Sequence, residues 1–588
     1  MKDLDNRISI ADVQGNDLCS PFAGKTVTIT GVLTGFSRRG FFIQEPATNQ
    51  PNPEQKFAEF IAGNSTGIFV YLPNKNLPIG TTLQITGRIE DFYKNSRASD
   101  KPTTQIRPKS IKRLAEPAID LEKIEPITLS TTLLQQAKNR LPELLNRLEG
   151  MLVKLESGAS FVQPSNHFGD YVILPKDTRI KDLCENAINA KHDGLIIPHD
   201  AQLWLPSFRI ISEKNAPTLN VGAMLESDVI GPLHFRSQSY QLQVNHPIQI
   251  KNKKVVPNHT TFSQNDNTIR VMTLNCFNLD PIVESASKVK NPSTDIDDDI
   301  GSGQFRLLAQ AIVSNAKCPD VIALQEIQDN DGAEQSDEVR AHLTYRILIK
   351  AIQLLGGEKY KWVDIPPENG EDGGQPGGNI RNGFLYRTDS IEPTTGSVKR
   401  LAKNEPSYED TRKPLQATFR KKKSHYNNKN SEITIINVHL ASKRHQQSLF
   451  SPDRPGFDPK EETRIQQARF LQHATQALRD KNRPYYVTGD FNDLEGSPTL
   501  SALLNDDNGE STNTNLIHQL PQNERYDYNH RGRLHVLMHG IVSKELAASG
   551  LASYEILHGN ELIGVTPGEE GGRGSDHAYV VAKFNLAD

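Results

Sequence analysis

Apolar and polar positions divide the chain into three textures. From about residue 5 to residue 115 the apolar residues come in short β-branched and aromatic runs. TVTITGVLTGF, GFFIQEP, TGIFVYLP and TTLQITGRIEDFY read as strands separated by Gly- and Pro-containing turns. Their spacing predicts a small barrel. A stretch rich in Pro, Glu and Lys, near Ala115 to Pro126, reads as a linker. It leads into TLLQQAKNRLPELLNRLEG, where Leu recurs at helical intervals. From about Glu149 the strand pattern returns in GMLVKLES, SFVQPS, DYVILP, MLESDVIGPLHF and SYQLQV, and predicts a second barrel-like β module. Val255 to Asn267 is polar, contains one Pro and reads as a further linker.

After Thr268 the texture changes again. Strand-like runs, IRVMTLN and PDVIALQEI, alternate with helical patterns, QFRLLAQAIVSNA and TYRILIKAIQLL. FLYR, ITIINVHL, YYVTGDF, GIVS and YVVAKF follow. The expectation is an α/β region with mostly antiparallel sheet. The domain reading is therefore a β-barrel module over 1–115, a linker helix and second β module over 116–262, and an α/β domain over 266–588.

Composition adds limits. The 588 residues carry 23% charged and 36% hydrophobic residues, as a globular multidomain protein does. Net charge is only -4, so global charge does not attract a polyanion. Affinity for nucleic acid must come from a local basic face or from metal ions. No apolar run is long enough to span a bilayer. Met1-Lys2-Asp3-Leu4-Asp5 has no apolar core of a leader, which favours a cytoplasmic reading unless the chain is numbered without its signal. Cys19, Cys184, Cys276 and Cys318 are scattered, which excludes a CxxC zinc site and a dense disulfide scaffold. Cys276 and Cys318 border apolar strand-like runs and read as buried thiols.

Five strand ends in the last half finish in metal-competent residues: Asn275, Glu326, His439, Asp490 with Asn492, and Asp576 with His577. Singly, each has a structural reading as a turn residue, a cap or a satisfied strand histidine. Jointly they place one chemistry at one sheet edge. Glu326 and Asp576, with the amide oxygen of Asn275, suit a hard divalent cation, Mg²⁺ or Mn²⁺. Such a set fits phosphodiester hydrolysis. Asp490 or His577 is placed to take the proton of an attacking water, and Asn492 to orient the phosphate. His439 is placed to donate to the transition-state oxygens.

The strings PDVIALQEIQDNDG, DGGQPGGNIRNGFLYR, TRKPLQATF, INVHLASK, YYVTGDFNDLEGSPTL and GSDHAYVVAKF, in this order, resemble the endonuclease/exonuclease/phosphatase superfamily, the fold of pancreatic deoxyribonuclease. ISIADVQG, VTITGVLTGFSRRGFFIQEP and STGIFVYLP, then LEGMLVKLES and SYQLQV, resemble the OB-like modules of large bacterial members, many of them secreted. The resemblance implies two OB-like barrels before a two-sheet α/β sandwich, with the site where the sheet edges meet. It implies a metal-dependent nuclease, most simply a DNA nuclease of low sequence specificity, using Mg²⁺ or Mn²⁺ with Ca²⁺ a further candidate. Export from the cell is implied as well. Glu326 would be the principal metal ligand, with Asn275 supporting metal or phosphate and Asp576 a second ligand. Asp490 and Asn492 would align nucleophile and phosphate. His439 and His577 would be the paired catalytic histidines, and Arg381 and Lys443 would contact phosphate.

The chain departs from this pattern at one place. Where the family reads LDH before its penultimate strand, this chain reads Leu537-Met538-His539. Met538 stands where the aspartate that holds the last histidine should be. Met is a poor hydrogen-bond acceptor, so His577 is expected to lack a carboxylate partner and turnover to suffer, unless nearby His535 or Asp527 substitutes, which nothing in the sequence shows. That leaves a catalytically weak nucleic-acid-binding protein, or a phosphodiesterase on another phosphoester, as alternatives. Asp295-Ile296-Asp297-Asp298-Asp299 invites a calcium-loop reading. An EF-hand counted from Asp295 needs Gly and Glu where Ile300 and Arg306 stand, so a solvated acidic loop is expected. Arg38, Arg39, Phe41 and Phe42, and Phe92, Tyr93, Lys94 and Arg97, offer cations beside aromatics for stacking single-stranded bases. The alternative is that the aromatics fill the barrel.

Overall fold

The computed structural model describes residues 8–46, 50–73, 77–93, 101–114, 121–166, 171–177, 188–196, 208–212, 217–236, 239–422, 432–444, 446–447, 450, 457–566 and 573–585. Lys94, Arg97 and Cys184, and residues 115–120 of the expected linker, lie outside the described residues.

Strands β1 (Thr26–Ser37), β2 (Gly40–Gln44), β3 (Gly67–Val70), β4 (Thr82–Phe92) and β5 (Thr103–Arg113) close a barrel in the order β1-β2-β3-β5-β4. Ile29, Leu33, Phe41, Ile43, Ile68, Leu83, Ile85 and Ile106 fill it. Four of these strands are the apolar runs of the sequence. The fifth escapes the pattern because TTQIRPKSIKR is polar and carries Pro108. The ladder accepts that proline at a register shift opposite Gly87, where a bulge removes the need for its N–H. Phe41 and Phe42 are fully buried, so their stacking role is corrected to a packing one. Arg38, Arg39 and Phe92 remain exposed.

The Leu-rich stretch forms two helices, Thr131–Ala137 and Leu141–Arg147, instead of one. Pro142 cannot continue a helix but can begin one, and Lys138 turns the chain with φ 33°. The second β region comprises β6 (Ile127–Thr128), β7 (Leu152–Leu155), β8 (Ser160–Phe161), β9 (Tyr171–Leu174), β10 (Ile188–Asn189), β11 (Leu195–Ile196), β12 (Phe208–Ser212), β13 (Met224–Leu225), β14 (Val229–Arg236), β15 (Ser239–Val244) and β16 (Ile250–Lys251). All but β10 and β11 make one nine-stranded sheet, β16-β13-β8-β9-β12-β15-β14-β7-β6. It lies hard against the barrel. A Cβ on Gly67 would sit 2.2 Å from the Gly150 carbonyl, so this approach tolerates no side chain.

The C-terminal region is a sandwich of two mixed sheets. The first contains β17 (Thr268–Leu279), β18 (Val321–Ile327), β19 (Tyr360–Val363) and β20 (Arg381–Arg387). The second contains β21 (Ile391–Pro393), β22 (Lys399–Arg400), β23 (Leu415–Lys421), β24 (Glu432–His439), β25 (Tyr485–Asp490) and β26 (Asn513–Asn515). A small hairpin, β27 (Tyr528–His530) and β28 (Arg533–His535), precedes β29 (Met538–Ser543) of the second sheet, and β30 (Ala552–Leu557) and β31 (Tyr579–Asn585) return to the first. The orders are β19-β20-β18-β17-β31-β30 and β21-β23-β24-β25-β29-β26, with β22 beside β23. Pairing is mostly antiparallel, as expected. Each sheet has one parallel pair, β17–β18 and β24–β25, joined by a crossover that contains a helix. Val271, Val321, Ala323, Phe384, Ala417, Phe419, Ile435, Tyr486 and Val580 form the layer between the sheets. Cys276 and Cys318 are buried free thiols, as read from the sequence.

Two findings change the domain picture. β11 of the middle region pairs in parallel with β28 of the C-terminal hairpin, and Asn529 Nδ2 donates to the Val162 carbonyl at 2.9 Å. The middle region thus props the hairpin from outside. The acidic run is also not a solvated loop. Asp295 and Asp299 are buried and the segment folds inward onto Asp280 and Glu284. Burial, with the charges of Asp299, Glu284 and Asp297, pushes the Asp280 carboxyl up to about 9.

Candidate active site

The carboxyl ends of the two parallel pairs meet at one edge of the sandwich. Asn275 and Glu326 come from the first sheet, His439 and Asp490 from the second. In a parallel ladder neighbouring strands end together, so groups at consecutive strand ends arrive side by side; His439 and Asp490 are direct register partners. Below the site the sheets are tied by polar bonds: Thr273 Oγ1 to Thr488 Oγ1 at 2.6 Å, and Gln325 Nε2 donating to Asn437 Oδ1 at 2.6 Å. Gly489 permits the final approach. Its φ is 140°, and a Cβ there would lie 1.9 Å from the Val438 carbonyl. Glu326 and Asn492 also hold positive φ, 56° and 51°, a backbone cost that marks functional positions when the surroundings enforce it.

Asp490 is the hub. His439 Nε2 lies 3.7 Å and His577 Nε2 3.8 Å from Asp490 Oδ2, and His439 Nε2 is also 3.7 Å from Glu326 Oε1. Ligand atoms of Glu326, His439 and Asp490 all lie within 4.8 Å of one another, a spacing one cation can bridge. The two carboxylates, on rigid strand ends, fit a hard divalent ion and leave the imidazole beside them free to donate. Asp576 Oδ1 stands 3.9 Å from His577 Nε2 at the half-exposed rim. Burial, then the charge of Asp576, pushes Glu326 above the usual carboxylate range. Burial raises Asp490 to about 6, against the lowering effect of His577.

The structure brings together Asn275, Glu326, His439, Asp490, Asn492, Asp576 and His577, with three corrections. Asn275 turns its amide nitrogen, not its oxygen, to the carboxylates: Nδ2 donates to Glu326 Oε1 at 3.0 Å while Oδ1 accepts from the Phe277 N–H. Two adjacent carboxylates call for a donor, and in this arrangement the Asn275 oxygen faces the backbone and not the cluster. Arg381 is buried and donates to the carbonyls of Val339 and Asn379, with an ion pair to Asp364 at 3.4 Å. It holds the β20 start in place and is not free to meet a phosphate. Lys443 is likewise committed, to Asp493 at 2.6 Å.

The third correction concerns Met538. It is fully buried in the inter-sheet core, yet His577 does not lack a partner. Asp527, eleven residues earlier, places Oδ1 3.1 Å from His577 Nδ1 and accepts the N–H groups of Leu537 and Met538 on Oδ2. Tyr528 stacks on the His577 ring at 4.8 Å. Burial works against a charge on His577, but Asp527, Asp576 and Asp490 outweigh it and raise the imidazole to about 10. His439 is the opposite case. Burial, then Arg412 and His577, push it well below its ordinary value, and its Nδ1 has no partner among the described residues. Arg412 is the residue that sequence reasoning passes over. It is buried, donates to the Leu440 carbonyl at 2.8 Å, and feels the charges of Glu326 and Asp490. Its one signal is the TRKP string, which reads only as part of a motif.

Among known proteins, the sequence profile of the endonuclease/exonuclease/phosphatase family matches residues 272–577, more than half of the chain. A family described only as a domain of unknown function matches residues 137–253. No curated protein matches the chain. Solved structures with a similar fold include an endonuclease/exonuclease/phosphatase from Bacteroides vulgatus, 17% identical, covering 54% of this chain and 99% of its own, with a TM-score of 0.33. The human Nocturnin catalytic domain with bound sulfate is 14% identical and covers 57% and 97%, with a TM-score of 0.34. A mannosyl-6-phosphatase from Bacteroides thetaiotaomicron is 15% identical and covers 53% and 98%, with a TM-score of 0.31.

Proposed function

The chain belongs to the endonuclease/exonuclease/phosphatase family, and from that premise we propose that it is a divalent-metal-dependent phosphodiesterase acting on nucleic acid, a DNA nuclease of low sequence specificity. The observation that carries the reading is the convergence on Asp490 Oδ2 of two histidines, each within 3.8 Å, beside Glu326. Glu326 would hold Mg²⁺ or Mn²⁺, with Asp490 and Asp576 the further carboxylates in reach. A bound cation polarises a phosphoryl oxygen and offsets its developing charge.

The histidines divide the remaining work. His577, kept protonated by Asp527, acts as a donor to the phosphoryl or leaving oxygen. Asp490, raised toward neutrality, is the group suited to take the proton of the attacking water. Neutral His439 donates a hydrogen bond to the developing charge, and Asn492, anchored by its own side chain on the Leu440 carbonyl, sets the turn that presents Asp490. The Asp527 partner removes the main argument for an inactive binding protein. The barrel and middle modules, with Arg38 and Arg39 exposed on the barrel, favour an extended polyanion over a small phosphoester. Among the described residues no helix is long and apolar enough to cross a membrane. Export is part of the same proposal, and cell fractionation tests it.

The deciding assay incubates the protein with plasmid DNA, linear DNA and RNA, with Mg²⁺, Mn²⁺ or EDTA, beside Glu326→Gln. Cleavage that EDTA abolishes and that Glu326→Gln lowers by about 10³ or more is expected. Hydrolysis of bis(p-nitrophenyl) phosphate without cleavage of any nucleic acid would redirect the reading to a small phosphoester.

A further inference from the structure

The acidic segment left over from the catalytic reading makes a second cluster. Ligand oxygens of Asp280, Glu284 and Asp297 lie within 4.8 Å of one another, with Asp299 bonded alongside through its Oδ2 to the Asp280 N–H at 2.9 Å. Asp280 is fully buried and Glu284 nearly so. The backbone satisfies part of the set. Ile282 N–H donates to Asp280 Oδ1, Ala333 N–H to Glu284 Oε1 and Asp297 N–H to Glu284 Oε2. Asp280 Oδ2, however, has no donor among the described residues. No lysine or arginine among them pairs with Asp280 or Glu284, and Lys288, one of the two lysines in this loop, gives its ammonium to Glu334 at 2.8 Å. Buried carboxylates at this spacing call for a positive partner. The chain also keeps room beside them. Gly332 has φ 59°, and a Cβ there would lie 2.6 Å from Glu284 Oε1 and 2.9 Å from the Asp280 carboxyl carbon.

We propose that Asp280, Glu284 and Asp297 form a structural cation site of the Ca²⁺ class, separate from the catalytic cluster. The side-chain donors in this cluster are oxygens only, which selects a hard ion. All three sit on the loop after β17 and not on rigid strand ends, which suits the larger, geometrically tolerant Ca²⁺ over octahedral Mg²⁺. The ion would pin the loop after β17, which Glu284 already ties to the loop after β18 through the Ala333 N–H. Those loops brace the catalytic edge directly: Asn278 N–H donates to Glu326 Oε2 at 3.1 Å, and Gln328 N–H to the Leu279 carbonyl at 3.0 Å.

The test uses the full chain. Glu326→Gln disables the catalytic cluster, so calcium it still retains reports on the new site. Equilibrium dialysis with radiolabelled Ca²⁺ should give one equivalent for Glu326→Gln, and none for Glu326→Gln combined with either Asp280→Asn or Glu284→Gln. Thermal melts should show Ca²⁺ raising the Tm of Glu326→Gln by roughly 5 °C at about 100-fold excess over the dissociation constant. Mg²⁺ should do less. Asp280→Asn relieves the buried repulsion, so its metal-free Tm should equal or exceed that of the parent while the calcium response disappears; a parent-like Tm also shows that it folds. No bound calcium in Glu326→Gln, calcium retained by both double variants, or equal stabilisation by Mg²⁺ overturns the proposal. Should Asp280→Asn fail to fold, Glu284→Gln decides alone.

Discussion

The two histidines of the site face the same carboxylate oxygen, and the charges around each differ in sign. Behind His439 are cations. After burial, Arg412, which donates to the Leu440 carbonyl, and Arg444 press on the imidazole, while further along the same turn Lys443 and Arg464 converge on Asp493. Behind His577 are anions, Asp527 on Nδ1 with Asp576 and Asp490 on the Nε2 side. The same side chain is thereby driven to opposite protonation states a few ångströms apart, neutral at His439 and cationic at His577. One fold can then present a neutral donor and an acid to one phosphate. A pair of histidines in a sequence motif is not a pair of equivalent groups.

The contrast breaks most sharply at Asp527. Asp527→Asn keeps the shape but removes the charge that holds His577 protonated and in one tautomer. Turnover should fall by about 10³ to 10⁴, by analogy with loss of the orienting carboxylate in a serine-protease triad. The fold should survive, because an Asn oxygen can still accept the Leu537 and Met538 N–H groups. Steady-state kinetics beside circular dichroism checks both halves. A variant with unchanged turnover would mean that His577 needs no anion behind it, and the asymmetry would lose its meaning.

Met538→Asp sharpens the same point from the other direction. If residue 538 were the missing partner, restoring a carboxylate would raise turnover. The side chain at 538 instead lies in the inter-sheet core, and in register it sits opposite Asp490. A carboxylate there would be buried beside Asp490, and near Asp527, which already accepts the Met538 N–H. The expected outcome is a loss of about 3 kcal/mol of stability and no gain in turnover per folded molecule. Denaturant titration together with active-site-normalised kinetics reads both.

Much of this architecture is legible in the amino-acid sequence. The barrel strands and the strand-end positions of Glu326, His439 and Asp490 follow from apolar runs that stop at polar residues, and the two-sheet sandwich from the family resemblance. What escapes has physical causes. β5 is hidden by Pro108 and its polar face, since a bulged strand need not look like one. Asp527 could be named only as one possible substitute beside His535, because it lies in a hairpin lead-in with no strand pattern around it and its role depends on a turn bringing residues fifty apart into contact. Arg381 and Lys443 sit at motif positions, but a cation's partners are set by three-dimensional neighbours, here Asp364 and Asp493. The acidic run reads as solvated because a sequence shows how many charges there are, not which way they face.

The cationic side of the comparison has its own, smaller test. Asp493 is fully buried between Lys443 and Arg464 and accepts from Thr499 at 2.6 Å. Burial opposes its charge, but Lys443 and Arg464 outweigh it and hold the carboxyl down at about 2. A folded-state value below the unfolded one near 3.8 contributes stability above that unfolded value, and the contribution drains away as pH falls toward 2. The size is about 2 kcal/mol at neutral pH. Asp493→Asn should therefore lower stability by about that amount at pH 7, and the gap to the parent should narrow between about pH 4 and pH 2. Denaturation midpoints across that range measure it. A gap that stays constant with pH would show that Asp493 acts through shape alone.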